Sequence, residues 1–181
     1  MKKLLSIIIP TFNAEKTIQT AIASLLKIKN QDLIEIIIVN DCSTDNTYNC
    51  LKSFKSLNII NNSENKGLSY CRNIALKNSR NDIVASIDAD VVLDKFWLEK
   101  ISINLKDNIM LVGGNLIEKY KDNIHNNWRS IYYKQNWGNE NLHNPAFVFG
   151  CNNIQRKVAW EKINGYDEKL KSNGEDIDYS I

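Results

Sequence analysis

Three groups of acidic residues in this 181-residue chain have the type and placement to do chemistry. Asp88 and Asp90 flank Ala89 just after a short apolar run. Alternate residues of a strand share a side, so both carboxylates could meet one hard divalent cation. Asp41 follows a second apolar run, and Glu175 and Asp176 follow Gly174. The Asp-x-Asp spacing means little by itself: among 12 Asp chance supplies about one such pattern, and Asp176 with Asp178 makes a second. Its position carries the meaning. A cation held by Asp88 and Asp90 and bridging a diphosphate would suit group transfer with diphosphate as leaving group. Arg72, one of four arginines, could add charge on the phosphates or lie solvated on a helix face. The bland alternatives are turn or capping aspartates at 88 and 90, and an acidic helix start at 175 and 176.

These residues need elements to position them, and the pattern supplies an alternating series. Apolar runs at Leu4 to Ile9, Ile34 to Val39, Leu57 to Ile60 and Ile83 to Ile87 read as strands, the continuous Ile and Val runs suiting a sheet covered on both faces. Pro10 is expected to end the first. Helical spacing covers Ala14 to Ile28, Ser43 to about Phe54 and Leu68 to Asn78. A βαβαβαβ series predicts a mostly parallel, doubly wound sheet flanked by helices. Ligands of such sheets lie at the carboxyl ends of the strands. Pro10, Thr11, Phe12, Asn13, Glu15, Asn40, Asp41, Asp88, Ala89 and Asp90 occupy those ends. The second half is less regular. Helices are expected at Phe96 to Leu105, His125 to Trp137 and Arg156 to Ile163, and extended chain at Met110 to Ile117 and Phe147 to Cys151. Trp128, Tyr132, Tyr133 and Trp137 could stack on a ligand, but at helical spacing they read first as core.

Composition removes several classes. The chain carries 23 basic and 21 acidic residues, too even a balance to attract nucleic acid or an anionic surface by charge. Its excess of Asn, Ile and Lys, with only 7 Gly and 2 Pro, fits an AT-rich coding sequence. The four cysteines lack zinc-knuckle spacing, and a reduced, intracellular chain is expected. The apolar run after Lys2 and Lys3 is too short for a signal peptide. No stretch approaches the roughly 18 to 20 apolar residues of a transmembrane helix, so membrane contact is expected to be peripheral at most. There is no Walker pattern and no Gly-x-Gly-x-x-Gly, which argues against an NTPase or a dinucleotide enzyme.

Taken in order, SIIIPTFNAEKTI, IIIVNDCSTDNT, ENKGLSYCRNIAL, SIDADVVL and FGCNNIQRKVAWEKINGYDE followed by GEDIDYSI resemble the motifs of the family 2 glycosyltransferases, inverting enzymes with the GT-A fold. The resemblance runs through nearly the whole chain. It implies one GT-A domain over residues 1–181, with a Rossmann-like nucleotide-sugar half at 1–90 and an acceptor half at 91–181. It implies that Pro10, Thr11, Phe12 and Glu15 line the nucleotide pocket and that Asp41 accepts from the base. Asp88, with Ala89, would meet the ribose or metal region, and Asp90 would ligate Mn²⁺ or Mg²⁺. Asp176 would be the catalytic base, with Glu175 positioning the acceptor. The expected substrates are a nucleotide-sugar donor, UDP-linked, and a glycan or lipid-linked acceptor, in surface polysaccharide synthesis. The expected location is cytoplasmic or peripheral at the inner face of the plasma membrane, and a homodimer is allowed. Two departures stand out. Asn40 precedes Asp41 where the family often has a second acid, and only five residues follow Asp176, so the acceptor half is expected to be incomplete. A non-catalytic nucleotide-sugar-binding module and a sugar nucleotidylyltransferase are the alternatives; the latter normally needs Gly and Arg near the first strand, and Pro10 to Glu15 has neither.

Overall fold

The computed structural model describes residues 4–55, 57–119, 122–132, 134–135, 137–138 and 140–181. Four parallel strands are built from the apolar runs: β1 (Leu5–Thr11), β2 (Ile34–Asn40), β3 (Asn58–Asn61) and β4 (Ile83–Ile87). Two further strands, β5 (Leu111–Gly113) and β6 (Asn152–Arg156), complete one six-stranded sheet of order β3-β2-β1-β4-β6-β5. β6 is antiparallel to both neighbours, so the sheet is mixed at one side and parallel at the other.

Both faces are covered, as the Ile and Val runs imply. Ile7, Ile9, Ile36 and Ile38 point into one buried cluster with Ile18, Ile22 and Leu25 of α1 (Ile18–Leu25) and Leu51 of α2 (Thr47–Lys52). Their strand neighbours Ile8, Ile37 and Val39 point the other way, against Cys71, Ala75 and Leu76 of α3 (Leu68–Asn78). Each fully buried Ile side chain contributes about 1.5–3 kcal/mol relative to exposure. The charged residue in β2, Glu35, is buried but accepts bonds from the Ser6 hydroxyl at 2.6 Å and the Arg80 amide at 2.9 Å.

Pro10 does not end β1. Its pairing with β4 stops at Ile8 opposite Ser86, while pairing with β2 continues through Pro10 and Thr11 opposite Val39 and Asn40. The missing N–H therefore lies beyond the β4 ladder and leaves no gap in it.

The later elements are α4 (Trp97–Ser102), α5 (Ile124–Tyr132), α6 (Lys157–Lys162) and α7 (Glu175–Ser180). The strand expected at Phe147 to Cys151 lies instead at β6, whose Asn152, Asn153 and Gln155 are buried polar residues. Trp128 and Tyr132 are exposed on α5, not core, and their rings stand 5.4 Å apart. Tyr133 lies outside the described residues, as does the N-terminal Met1 to Lys3.

Gly67 precedes α3 with φ of 91°, a region where side chains are strained. A Cβ there would also meet the Lys171 backbone at 2.8–2.9 Å, because the Leu68 amide donates to the Lys171 carbonyl. Gly67→Ala is expected to destabilise by about 2 kcal/mol or more, read as a lower urea midpoint.

Candidate active site

The strand order reverses between β1 and β4, and a cleft of about 550 Å³ opens at their carboxyl ends. Of the sequence candidates, Pro10, Phe12, Asn13, Glu15, Asp88, Ala89 and Asp90 line it, together with Asp45 and Leu68. Thr11, Asp41, Arg72, Glu175 and Asp176 are not among its lining residues. Thr11 is buried, with its hydroxyl turned back to the Ile9 carbonyl at 3.3 Å.

The wall formed by the loop after β1 is held by the loop after β2. Asn13, at φ of 48°, donates its amide to the Ser43 hydroxyl at 3.0 Å and accepts the Thr44 amide at 2.8 Å on its side-chain oxygen. The Glu15 amide donates to Asp45 at 3.1 Å, and the Glu15 carboxylate accepts the Asn46 amide at 2.9 Å. Ser43, Thr44 and Asp45 thus spend their polar groups on this clamp, and the helix expected from Ser43 begins only at Thr47. In the turn before it, the Asp45 carboxylate accepts the Thr47 amide at 2.9 Å.

Asp41, directly after β2, is buried. Its carboxylate accepts the amides of Lys66 at 2.9 Å and Gly67 at 2.8 Å and the Asn62 side-chain amide at 2.7 Å. Three donors converging on one carboxylate make it the anchor of the β3–α3 loop. The Gly67 bond also fixes the entry to α3 and hence the position of Arg72 one turn further along.

Arg72 is neither solvated nor on the cleft wall. It is 1% exposed, and its Nε donates to the Ser86 hydroxyl at 3.1 Å. One terminal nitrogen reaches Asp88 at 3.1 Å and the other pairs with Glu175. Burial works against the guanidinium charge, but Asp88, Tyr166 and Glu175 around it outweigh that and raise its pKa. Burial pushes the Asp88 carboxyl above its usual range against the pull of Arg72, and Asp90 and Glu175 add to the rise.

Glu175, buried beside Arg72, has its second oxygen without a hydrogen-bond partner among the described residues. Asp176 is partly exposed and accepts the Gly150 amide at 2.9 Å. One residue on, the Cys151 carbonyl accepts the Asp88 amide at 3.1 Å. Two aspartates that the sequence separates by 88 positions therefore meet a single dipeptide, Asp88 through its backbone amide and Asp176 through its carboxylate. Cys151 itself is no nucleophile at neutral pH: burial pushes its thiol up to about 12.

Residues 6–163 match Glycosyl transferase family 2. The chain belongs to this family. A glucosyltransferase of Escherichia coli, UDP-Glc:alpha-D-GlcNAc-diphosphoundecaprenol beta-1,3-glucosyltransferase WfgD, is 36% identical over 115 residues, 62% of this chain and 45% of that protein. The crystal structure of S. aureus TarS 1-349 in complex with UDP-GlcNAc superposes with a TM-score of 0.73 at 22% identity, over 99% of this chain and 52% of that one. The mannosyltransferase PcManGT from Pyrobaculum calidifontis, in complex with GDP-Man and Mn²⁺, gives a TM-score of 0.67 at 18% identity, over 93% and 48%. These likenesses show that the fold is GT-A. The chain spans 22%, 45% and 57% of the length of three curated relatives that it matches.

Family 2 membership raises the question of a cation. Among the described residues no group of three or more His, Cys, Asp and Glu is gathered closely enough to hold a metal ion alone. Asp88 and Asp90 are hard oxygen donors on the cleft, and ions such as Mg²⁺ commonly bind through one or two carboxylates plus substrate phosphates. An Asp88 carboxyl lifted by burial is one that a cation would relieve. The donor set fits a cation completed by a diphosphate.

Among the residues that sequence reasoning missed are Asn62, Ser86 and Gly150. Their partners lie 14 to 78 positions away, and no local spacing signals such pairs. No helix among the described residues is long and apolar enough to cross a membrane.

Proposed function

We propose that this chain carries the donor site of an inverting, metal-dependent glycosyltransferase that moves a sugar from a UDP-linked donor to an acceptor hydroxyl in surface polysaccharide synthesis. The observation that carries the reading is the pair Asp88 and Asp90 at the carboxyl end of central strand β4, on the same cleft as Pro10 and Phe12. The sugar nucleotides named for its relatives, UDP-Glc for the E. coli enzyme and UDP-GlcNAc for TarS, support a UDP-linked hexose or N-acetylhexosamine. A glycan or lipid-linked acceptor completes the reading, and the diphosphoundecaprenol in the name of the E. coli relative supports the lipid-linked form.

In this reading Asp88 and Asp90 hold the cation, which supplies charge to offset the departing diphosphate. Phe12, half exposed at the cleft, offers a face to the nucleoside base. Asp176 takes the proton of the acceptor hydroxyl as it attacks the anomeric carbon opposite the leaving group. Its place against the Gly150 amide keeps the carboxylate oriented and leaves it partly open to an incoming hydroxyl. Attack from that side inverts the anomeric configuration.

Calorimetry with UDP, GDP and dTDP, each with and without Mn²⁺, tests the reading. UDP is expected to bind in the micromolar range with Mn²⁺ and at least tenfold more weakly without it. Absence of metal-dependent binding of any nucleotide would overturn it.

A further inference from the structure

The contacts around Arg72 close on themselves. Its guanidinium reaches Asp88 on one side and Glu175 on the other. The Asp88 amide donates to Cys151, Gly150 next to it donates to Asp176, and Asp176 follows Glu175. The ring thus joins the end of β4, the turn before β6 and the first residues of α7.

Gly150 belongs to it through space as well as through its amide. A Cβ at this position would stand 2.8–2.9 Å from the guanidinium carbon and both terminal nitrogens of Arg72. Gly150 is absent from the positive-φ residues, so what requires glycine is the close approach of the arginine rather than the backbone conformation. Behind the ring, the Tyr166 ring lies 5.6 Å from the guanidinium and stacks on Tyr179 at 4.0 Å, and Tyr179 donates to Gln155 of β6. Arg72 therefore has little room to move.

The geometry points to Arg72 and Gly150 as positioning residues that set Asp88 and Asp176 relative to each other. Neither acts on the substrate. A lysine cannot replace the fork, because one ammonium lacks the two opposed donor edges needed for Asp88 and Glu175 together. Glu175 shares this positioning role, since its carboxylate holds Arg72 rather than the acceptor. The consequence for the donor rests on the proposed function, whereas the closed ring of contacts stands apart from that reading.

The experiment compares the native chain with Arg72→Lys, Gly150→Ala, Glu175→Ala and Glu175→Gln in two measurements. Amide hydrogen exchange at residues 88 and 150 reads the ring without any ligand. Calorimetry of UDP with Mn²⁺ reads its effect on the donor site. Arg72→Lys and Gly150→Ala are expected to speed exchange at both amides at least tenfold, with Ile8 and Ile37 of the sheet core unchanged, and to weaken metal-dependent UDP binding about tenfold. Glu175→Gln, which still offers an acceptor oxygen, is expected to recover part of the loss caused by Glu175→Ala. Uniformly faster exchange across the sheet would show a merely structural role and overturn the inference, as would native exchange in Gly150→Ala. If Arg72→Lys does not fold, Ser86→Ala removes only the Nε acceptor and is expected to give a two- to fivefold effect at the same amides; no effect there counts against the ring. A native chain that binds no UDP would sink the proposed function, while the exchange data would still decide the role of Arg72 and Gly150.

Discussion

Replacing Asp41 by Ala is expected to cost about 3–5 kcal/mol of folding stability, the largest loss from any single change around the cleft. The carboxylate is 3% exposed and receives the Lys66 and Gly67 amides and the Asn62 side chain. Alanine leaves those donors in a place water reaches poorly, and each unmet buried donor costs about 1–3 kcal/mol. Asp41→Asn keeps one acceptor oxygen but swaps the other for an NH₂ group that faces donors, so it is expected to fall between alanine and the native chain. Urea unfolding of the three proteins measures this. The alternative role, acceptance from a nucleoside base, makes a different prediction: weaker UDP binding with the unfolding midpoint unchanged. The three internal bonds favour the structural outcome, with loss of binding as its consequence, because the loop that Asp41 anchors leads into the helix that carries Arg72.

The contrast between Asp41 and Asp88 shows what a sequence can disclose. Both follow apolar strands, and strand-end position alone placed both near a cleft. Strands β1, β2 and β4 were legible because a run such as Ile36, Ile37, Ile38 and Val39 has one physical use, burial on both faces of a sheet. α3 was legible to its bounds because its apolar spacing and Gly67 agree. Which carboxylate faces the cleft and which turns inward depends on the Lys66 and Gly67 amides, 25 and 26 positions from Asp41, and no local pattern encodes that. β6 was missed for a related reason. Phe147, Val148 and Phe149 look like a strand, yet Phe147 and Phe149 pack with Trp137, while the polar Asn152, Asn153 and Gln155 enter the sheet. The Asn152 side-chain oxygen accepts there from Trp97 at 2.9 Å and the Gln155 side-chain oxygen from Tyr179. Partners of that kind make a polar strand possible, and they come from distant parts of the chain. The same blindness made Arg72 look like a phosphate ligand or a solvated arginine, when its two partners are themselves residues of the expected site.

Asp176→Asn is expected to lower transfer about 10²- to 10⁴-fold, the usual worth of a positioned general base, while metal-dependent UDP binding stays within twofold of native. The substitution is nearly isosteric. An asparagine oxygen can still accept the Gly150 amide, which Asp176 takes at 2.9 Å, so the start of α7 and the Arg72 pairing with Glu175 keep their places. What disappears is basicity: an amide cannot carry away the proton of an attacking hydroxyl. A loss confined to turnover would mark Asp176 as the base. A parallel loss of UDP binding would mean that the change disturbed Asp88 through the Gly150 and Cys151 dipeptide instead. Retained turnover would move the role elsewhere, and Asp178, exposed on the same short helix, is the carboxylate to test next. Stopped-flow transfer assays at saturating donor, alongside calorimetry on the same preparations, separate these outcomes: the first lowers turnover alone, the second lowers turnover and donor affinity together, and the third lowers neither.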